Sequence, residues 1–196
     1  MAESSVFPVI ESERLLLREI LSSDAKSLFA IHSDPERMRW YGNDPMKDLS
    51  AAKEMVRAFA AWRQLANPGV RWGIQIKGQK KLVGTVGLFS WNRNWQRCML
   101  GYELLRQEEG KGYMREALAQ VLAWGFQNMG LNRVEAQIHP ENLPSMKLAL
   151  ALGFVPEGLL REMGFWDGKY HDMVQLSLLR REFVAQSGKS SLAVIG

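Results

Sequence analysis

Between Met99 and Phe126 the hydrophobic positions change their period. Leu100, Tyr102 and Leu104 alternate with Met99, Gly101 and Glu103, a period of two that predicts a strand with two distinct faces. From Met114 onward, Leu118, Val121, Leu122 and Phe126 recur at helical spacing. Gln107-Glu108-Glu109-Gly110-Lys111-Gly112 lies between them, so a strand runs into a helix through a glycine loop.

The same reading places the other elements. Arg14 to Arg18 reads as a first strand. Ser22-Ser23-Asp24 offers caps for a helix that buries Ala25, Leu28, Phe29 and Ile31, and Asp34-Pro35 ends it. After the turn-rich Gly42-Asn43-Asp44-Pro45, a second helix starts near Asp48 or Ser50 and carries Met55, Phe59 and Trp62 on one face. Trp72, Ile74 and Ile76 alternate with polar neighbours, and Leu82 to Phe89 continues as the next strand, so three antiparallel strands lead to the glycine loop. Gly130 caps the central helix, and Val134, Ala136 and Ile138 alternate as another strand. A short helix capped at Asn142 or Leu143 follows, stopped by Gly153. Phe154-Val155 then reads as a short strand, Gly164 to Gly168 as a loop and Tyr170 to Leu179 as the last strand. The expectation is one domain over residues 1–186 and a flexible tail over 187–196.

Composition narrows the chemistry. In 196 residues an apolar share of 46% supports a core without disulfides or metals. The net charge of +4 is scattered, with no block of like charge, and suits an anionic small ligand as well as nucleic acid; no nucleic-acid role is expected. Cys98 is the single cysteine, and His32, His139 and His171 are far apart, so no metal site is expected. Without a signal-peptide pattern at Met1 to Ser5 or a run of about 18 apolar residues, the expectation is a cytoplasmic protein with no membrane role.

A strand feeding a helix through glycines aims the free N–H groups of the first helical turn, and the positive end of its dipole, just beyond the strand, where anions bind. Gly110 and Gly112 allow close backbone approach by a diphosphate, and Lys111 and Arg115 add positive charge. The Rossmann fingerprint needs a further glycine where Arg115 stands, and the P-loop needs Ser or Thr where Gly112 stands. Neither common nucleotide motif is present.

What remains, Gln107-x-x-Gly110-x-Gly112, resembles the acyl-CoA pyrophosphate loop of the GNAT N-acetyltransferases. The wider set is more specific: Gly101-Tyr102, Gly110-Lys111-Gly112-Tyr113, Glu116-Ala117, Leu131-Asn132-Arg133, Asn142-x-x-Ser145, Leu152-Gly153-Phe154, Glu157-Gly158 and Tyr170-His171-Asp172. It resembles the branch that acetylates the N-terminal alanine or serine of ribosomal proteins, over roughly Glu13 to Phe183. The resemblance implies an α+β fold of three α/β/α layers, a mixed and mostly antiparallel sheet whose Leu100 and Val134 strands splay apart around acetyl-CoA. It implies that Leu104, Leu105 and Arg106 pair with the pantetheine arm. The pyrophosphate would meet the loop and first helical turn, Gln107, Gly110, Lys111, Gly112, Tyr113, Met114 and Arg115, and Asn142 and Ser145 would also contact the cofactor.

Acetyl transfer to an amine needs a neutral amine, a stabilised oxyanion and a proton for the leaving thiolate. A chain amino terminus, with a pKa near 8, needs less help than a lysine near 10.4. Many relatives supply the proton from a tyrosine at a position that is Ala149 here. Ser145 matches a serine proposed for that role in the ribosomal-protein branch, and Glu103 is the best placed general base, acting through water; each also has a purely structural reading. His139 and His171 are weaker candidates. Trp40 and Tyr41 either anchor a loop or wall the substrate side. Glu108, Glu109, Met114 and Arg106 depart from the family pattern and put the loop's path and charge in question. The expected partners are acetyl-CoA and an amine, foremost a protein N-terminus, for a monomer or homodimer. A small amine such as an aminoglycoside, polyamine or amino acid, or a CoA-binding module without catalysis, are the alternatives.

Overall fold

The computed structural model describes residues 6–183; the tail expected at 187–196 lies outside them. One eight-stranded sheet runs in the order β1-β2-β3-β4-β5-β6-β8-β7. The strands are β1 (Ile10–Glu11), β2 (Leu15–Glu19), β3 (Val70–Ile76), β4 (Leu82–Asn92), β5 (Arg97–Leu104), β6 (Arg133–Ile138), β7 (Val155–Trp166) and β8 (Lys169–Leu179). The helices are α1 (Ala25–His32), α2 (Pro35–Met38), α3 (Leu49–Ala61), α4 (Tyr113–Asn128) and α5 (Leu143–Ala151). All neighbouring strands pair antiparallel except β5 and β6, which are parallel.

Strand alternation makes two cores. Trp72, Ile74, Val86, Leu88 and Leu100 pack under Leu118, Val121 and Leu122 of α4, and Ala149 of α5 joins them. Ile20, Leu28, Ile31, Ala52, Val56 and Leu82 pack with α1 and α3 on the other face. Gly73, between Trp72 and Ile74, confirms the alternation: a Cβ there would strike Leu82 and Ile20 of this second core. Helices therefore cover both faces, as the three-layer expectation required.

Local signals held where they rest on caps. Asp48 accepts from the N–H groups of Ser50 and Ala51 (2.8 and 3.0 Å) and starts α3. Asn142 accepts from Ser145 N–H (3.2 Å) and starts α5. Asp34-Pro35 does end α1, but Asp34 also caps the short α2, through Glu36 N–H at 3.0 Å. The C-terminal region differs from expectation. In place of a short strand at Phe154-Val155 and a loop from Gly164 to Gly168, β7 runs twelve residues and turns only at Asp167-Gly168. Register shifts after Pro156 and Leu160 break its alternation, which hid the strand in the sequence. The short β1 also carried no readable pattern. Among the described residues, no helix is long and apolar enough to cross a membrane.

Candidate active site

The sheet opens where β5 and β6 part. Their pairing covers only Arg97, Cys98 and Met99 against Arg133, Val134 and Glu135; beyond that the facing edges have no strand between them. A cavity lies to each side of this gap, of about 540 Å³ toward α1 and α3 and about 650 Å³ toward the glycine loop. Trp40, Tyr41, Tyr102, Glu103, Asn142 and Ser145 line both.

The two candidate catalytic side chains reach the gap from opposite faces. Arg71, Gly87 and Gly101 stand side by side on β3, β4 and β5, as do Thr85 and Glu103 one step along. Because neither glycine has a side chain, Arg71 lies across both: a Cβ on Gly87 would sit 2.5 Å from Arg71 Cδ, and one on Gly101 3.1 Å from Nη1. The guanidinium thereby reaches Glu103 Oε2 and Thr85 Oγ1, donating to the latter at 2.9 Å. Thr85 in turn donates to Glu103 Oε2 at 2.6 Å. Glu103 Oε1 lies 3.7 Å from His32 Nε2, too far for a hydrogen bond. Burial, helped by the nearby Arg71 charge, pulls His32 down to about 4 and keeps it neutral. Burial also lowers Arg71 to about 9.

On the other face, the Tyr102 hydroxyl and Ser145 Oγ share a hydrogen bond of 2.7 Å. Burial raises the Tyr102 pKa against the opposing effect of that bond, so the phenol stays protonated. Tyr102 is thus a second possible proton donor. Its place in the alternating strand was legible, but its meeting with α5 was not. Arg71, Thr85 and His32 were missed as well, since only strand register brings the first two to Glu103 and only the packing of α1 on the sheet brings the third.

The glycine loop is built to receive an anion. Gly110 and Gly112 have φ of +73° and +82°, and Gly112 caps α4 in the left-handed region. Glu116 N–H is the first to reach a helical carbonyl, at Gly112 (3.1 Å), so the N–H groups of Tyr113, Met114 and Arg115 have none within the helix. Leu104, Arg106, Gly110, Gly112, Tyr113, Met114, Arg115, Asn142 and Ser145 line this cavity. Leu105, Gln107 and Lys111 do not: Leu105 packs with the α1–α3 core, and Lys111 Nζ pairs with Glu108 at 3.0 Å. Glu109 pairs with Arg37, so both acidic departures from the family pattern are locally neutralised. Met114 turns its side chain into the core and can offer a ligand only its backbone. Arg14, unforeseen, brings its guanidinium over Tyr113 (4.7 Å) and donates to Lys111 O (3.0 Å). An open strand edge leading to a glycine-lined helix start fits the pantetheine and pyrophosphate of acetyl-CoA.

His139 and His171 line neither cavity. His171 Nε2 donates to Trp166 O (3.1 Å), which leaves Nδ1 to accept from His139 Nε2 (3.4 Å), while His139 Nδ1 accepts from Glu141 N–H (3.2 Å). Trp166 stacks on His171 at 3.6 Å and donates to Arg39 O at 3.0 Å. Among the described residues no cluster could hold a metal ion. Cys98 is fully buried, and burial pushes its thiol up to about 12, so it is no nucleophile.

Comparison with known proteins agrees with this geometry. The sequence profile of the Acetyltransferase (GNAT) domain matches residues 14–155. The uncharacterized N-acetyltransferase YoaA of Bacillus subtilis is 34% identical over 89% of this chain and 98% of its own. Two solved structures share the fold. One is a ribosomal L7/L12 alpha-N-protein acetyltransferase in complex with coenzyme A (17% identity, TM-score 0.77, covering 88% and 98% of the two chains). The other is a spermidine N-acetyltransferase from Vibrio cholerae in complex with CoA and spermine (21%, TM-score 0.76, 88% and 99%). With a cleft shaped for acetyl-CoA and a profile match over most of its length, the chain belongs to the GNAT family of acetyl-CoA-dependent N-acetyltransferases.

Proposed function

We propose that the acceptor is the free amino terminus of a protein, with ribosomal proteins as the first candidates, and that transfer is direct, within a complex of enzyme, acetyl-CoA and acceptor. The observation that carries direct transfer is the pair of cavities meeting at Tyr102, Glu103 and Ser145. Burial of Cys98 away from both cavities removes the obvious acyl-enzyme route. The choice of acceptor is supported by the fold shared with a ribosomal L7/L12 alpha-N-protein acetyltransferase and by the ease of deprotonating a chain terminus.

Acetyl-CoA supplies a thioester carbonyl and a thiol leaving group. The amine nitrogen bonds to the acetyl carbon as the carbon–sulfur bond breaks. Glu103, held by Arg71 and Thr85 through Oε2, receives the amine's proton on Oε1 through water. The Tyr102–Ser145 hydroxyl pair returns a proton to the leaving sulfur. Asn142, which caps α5, fixes Ser145 for that role. The test is an initial-velocity study with acetyl-CoA and peptides starting with Ala or Ser, with mass spectrometry of the product. Intersecting lines and an acetylated α-amino group are expected; parallel lines, or acetylation confined to small amines, would overturn the proposal.

A further inference from the structure

The wall of the acceptor cavity carries information about the body that bears the amine. Trp40, Tyr41, Phe59, Trp62, Phe89 and Trp166 line it, together with four methionines, Met55, Met99, Met163 and Met173. Among its lining residues Glu103 is the one carboxylate and Arg71 the one cation, and these two are bonded to each other. A second ammonium entering this space would find no free anion.

Aromatic rings can themselves hold cations, but here arginines of the protein occupy that role. Arg71 lies over Phe59 (5.2 Å) and Trp62 (5.9 Å), Arg39 over Trp40 (4.2 Å) and Arg37 over Tyr41 (5.8 Å). Trp166 is stacked on His171. A polycation would thus meet Phe59, Trp62, Trp40 and Tyr41 already paired with arginines and Trp166 with one face taken by His171, and would shed its water with little compensation.

We propose that the acceptor is a single primary amine on an uncharged, apolar or aromatic body, which for a protein substrate means a chain whose first residues are apolar, and that polyamines are excluded. The proposal rests on the acetyl-transfer reading of the two cavities. The cavity's volume of about 540 Å³ lies within the usual range for ligand sites, roughly 300–1,000 Å³, and suits the leading residues of a peptide.

The test follows thiol release from acetyl-CoA with short peptides that differ only in the first residue (Phe, Leu, Ala, Ser, Lys or Asp), together with phenethylamine and spermidine. Peptides starting with Phe or Leu are expected to exceed those starting with Lys or Asp by roughly tenfold or more in kcat/KM, with spermidine at background. Preference for spermidine or for the Lys peptide would overturn the inference while leaving acetyl transfer intact. Turnover of phenethylamine but of no peptide would support it and remove the protein-terminus proposal instead. No turnover of any amine, with acetyl-CoA still bound, would overturn both. Met163 lines the cavity and is 53% exposed, so Met163→Glu should fold. It is expected to raise spermidine turnover relative to the Phe peptide, and an unchanged ratio would remove the acceptor from this cavity.

Discussion

The hydroxyls of Tyr102 and Ser145 meet at 2.7 Å, tying β5 to α5 where the sheet opens. Either can deliver a proton to a departing thiolate. We predict that Ser145→Ala or Tyr102→Phe, whichever removes the delivering hydroxyl, lowers kcat about 100-fold or more. The other should cost only a few-fold, and the double variant should be no worse than the weaker single. Acetyl-CoA affinity, measured by calorimetry, should change little. Because the Tyr102 pKa is raised above its ordinary 10.0, no loss of kcat below pH 10 should trace to the phenol.

Arg71 and Glu103 form a buried pair, and breaking it from one side strands a charge. Arg71→Met is expected to destabilise the fold by about 3–5 kcal/mol, read by urea denaturation, and Arg71→Met with Glu103→Gln should recover part of that loss. Glu103→Gln alone should lower kcat more than it lowers stability. Equal effects of Arg71→Met in the presence and absence of Glu103 would show that the pair is not coupled.

Stability should also record His32. Its folded pKa of about 4 lies below the ordinary 6.5. Between those values the unfolded chain binds a proton that the folded chain refuses, so stability falls as pH drops through that window and is unaffected above it. The loss is of order 3 kcal/mol by pH 4. In His32→Asn this slope should become shallower in denaturation curves taken across the same range, leaving the contribution of His139, which burial also lowers.

Gly112 must keep its left-handed backbone, φ +82°, and a Cβ there would come within 3.3 Å of Arg14 Nη2. Gly112→Ala is therefore expected to cost about 1–2 kcal/mol in strain and to weaken acetyl-CoA binding measurably in calorimetry. Gly110 also has positive φ, but a Cβ on it would meet nothing within 4 Å. Gly110→Ala should therefore be the milder of the two.

How much of this was readable in the chain depends on how far each contact reaches. The glycine loop, the caps at Asp48 and Asn142, and the alternation through β3 and β5 are local, and the sequence carried them. The alternation of Tyr102 and Glu103 already placed them on opposite faces. What it could not carry was register. Arg71 looks like an ordinary polar strand position until Gly87 and Gly101 are set beside it, and Tyr102 acquires a partner only when α5 is placed. The C-terminal hairpin was underestimated for the opposite reason: its bulges erase the period on which strand reading depends. The roles of Ser145 and Glu103 remain proposals whose geometry is now specified.

The short pairing of β5 with β6 has a consequence for how the molecule assembles. One arm of the opened sheet, β1 to β5, is made entirely from residues 10–104, and the other, β6, β8 and β7, entirely from residues 133–179. Within the arms, β3–β4 and β6–β8 pair at six positions each, whereas the seam between the arms has three pairs and so gains less from closing. We therefore expect hydrogen exchange during refolding to protect the interior of each arm before the seam at Arg97 to Met99. On that schedule, the cleft that handles acetyl-CoA is the last part of the protein to exist.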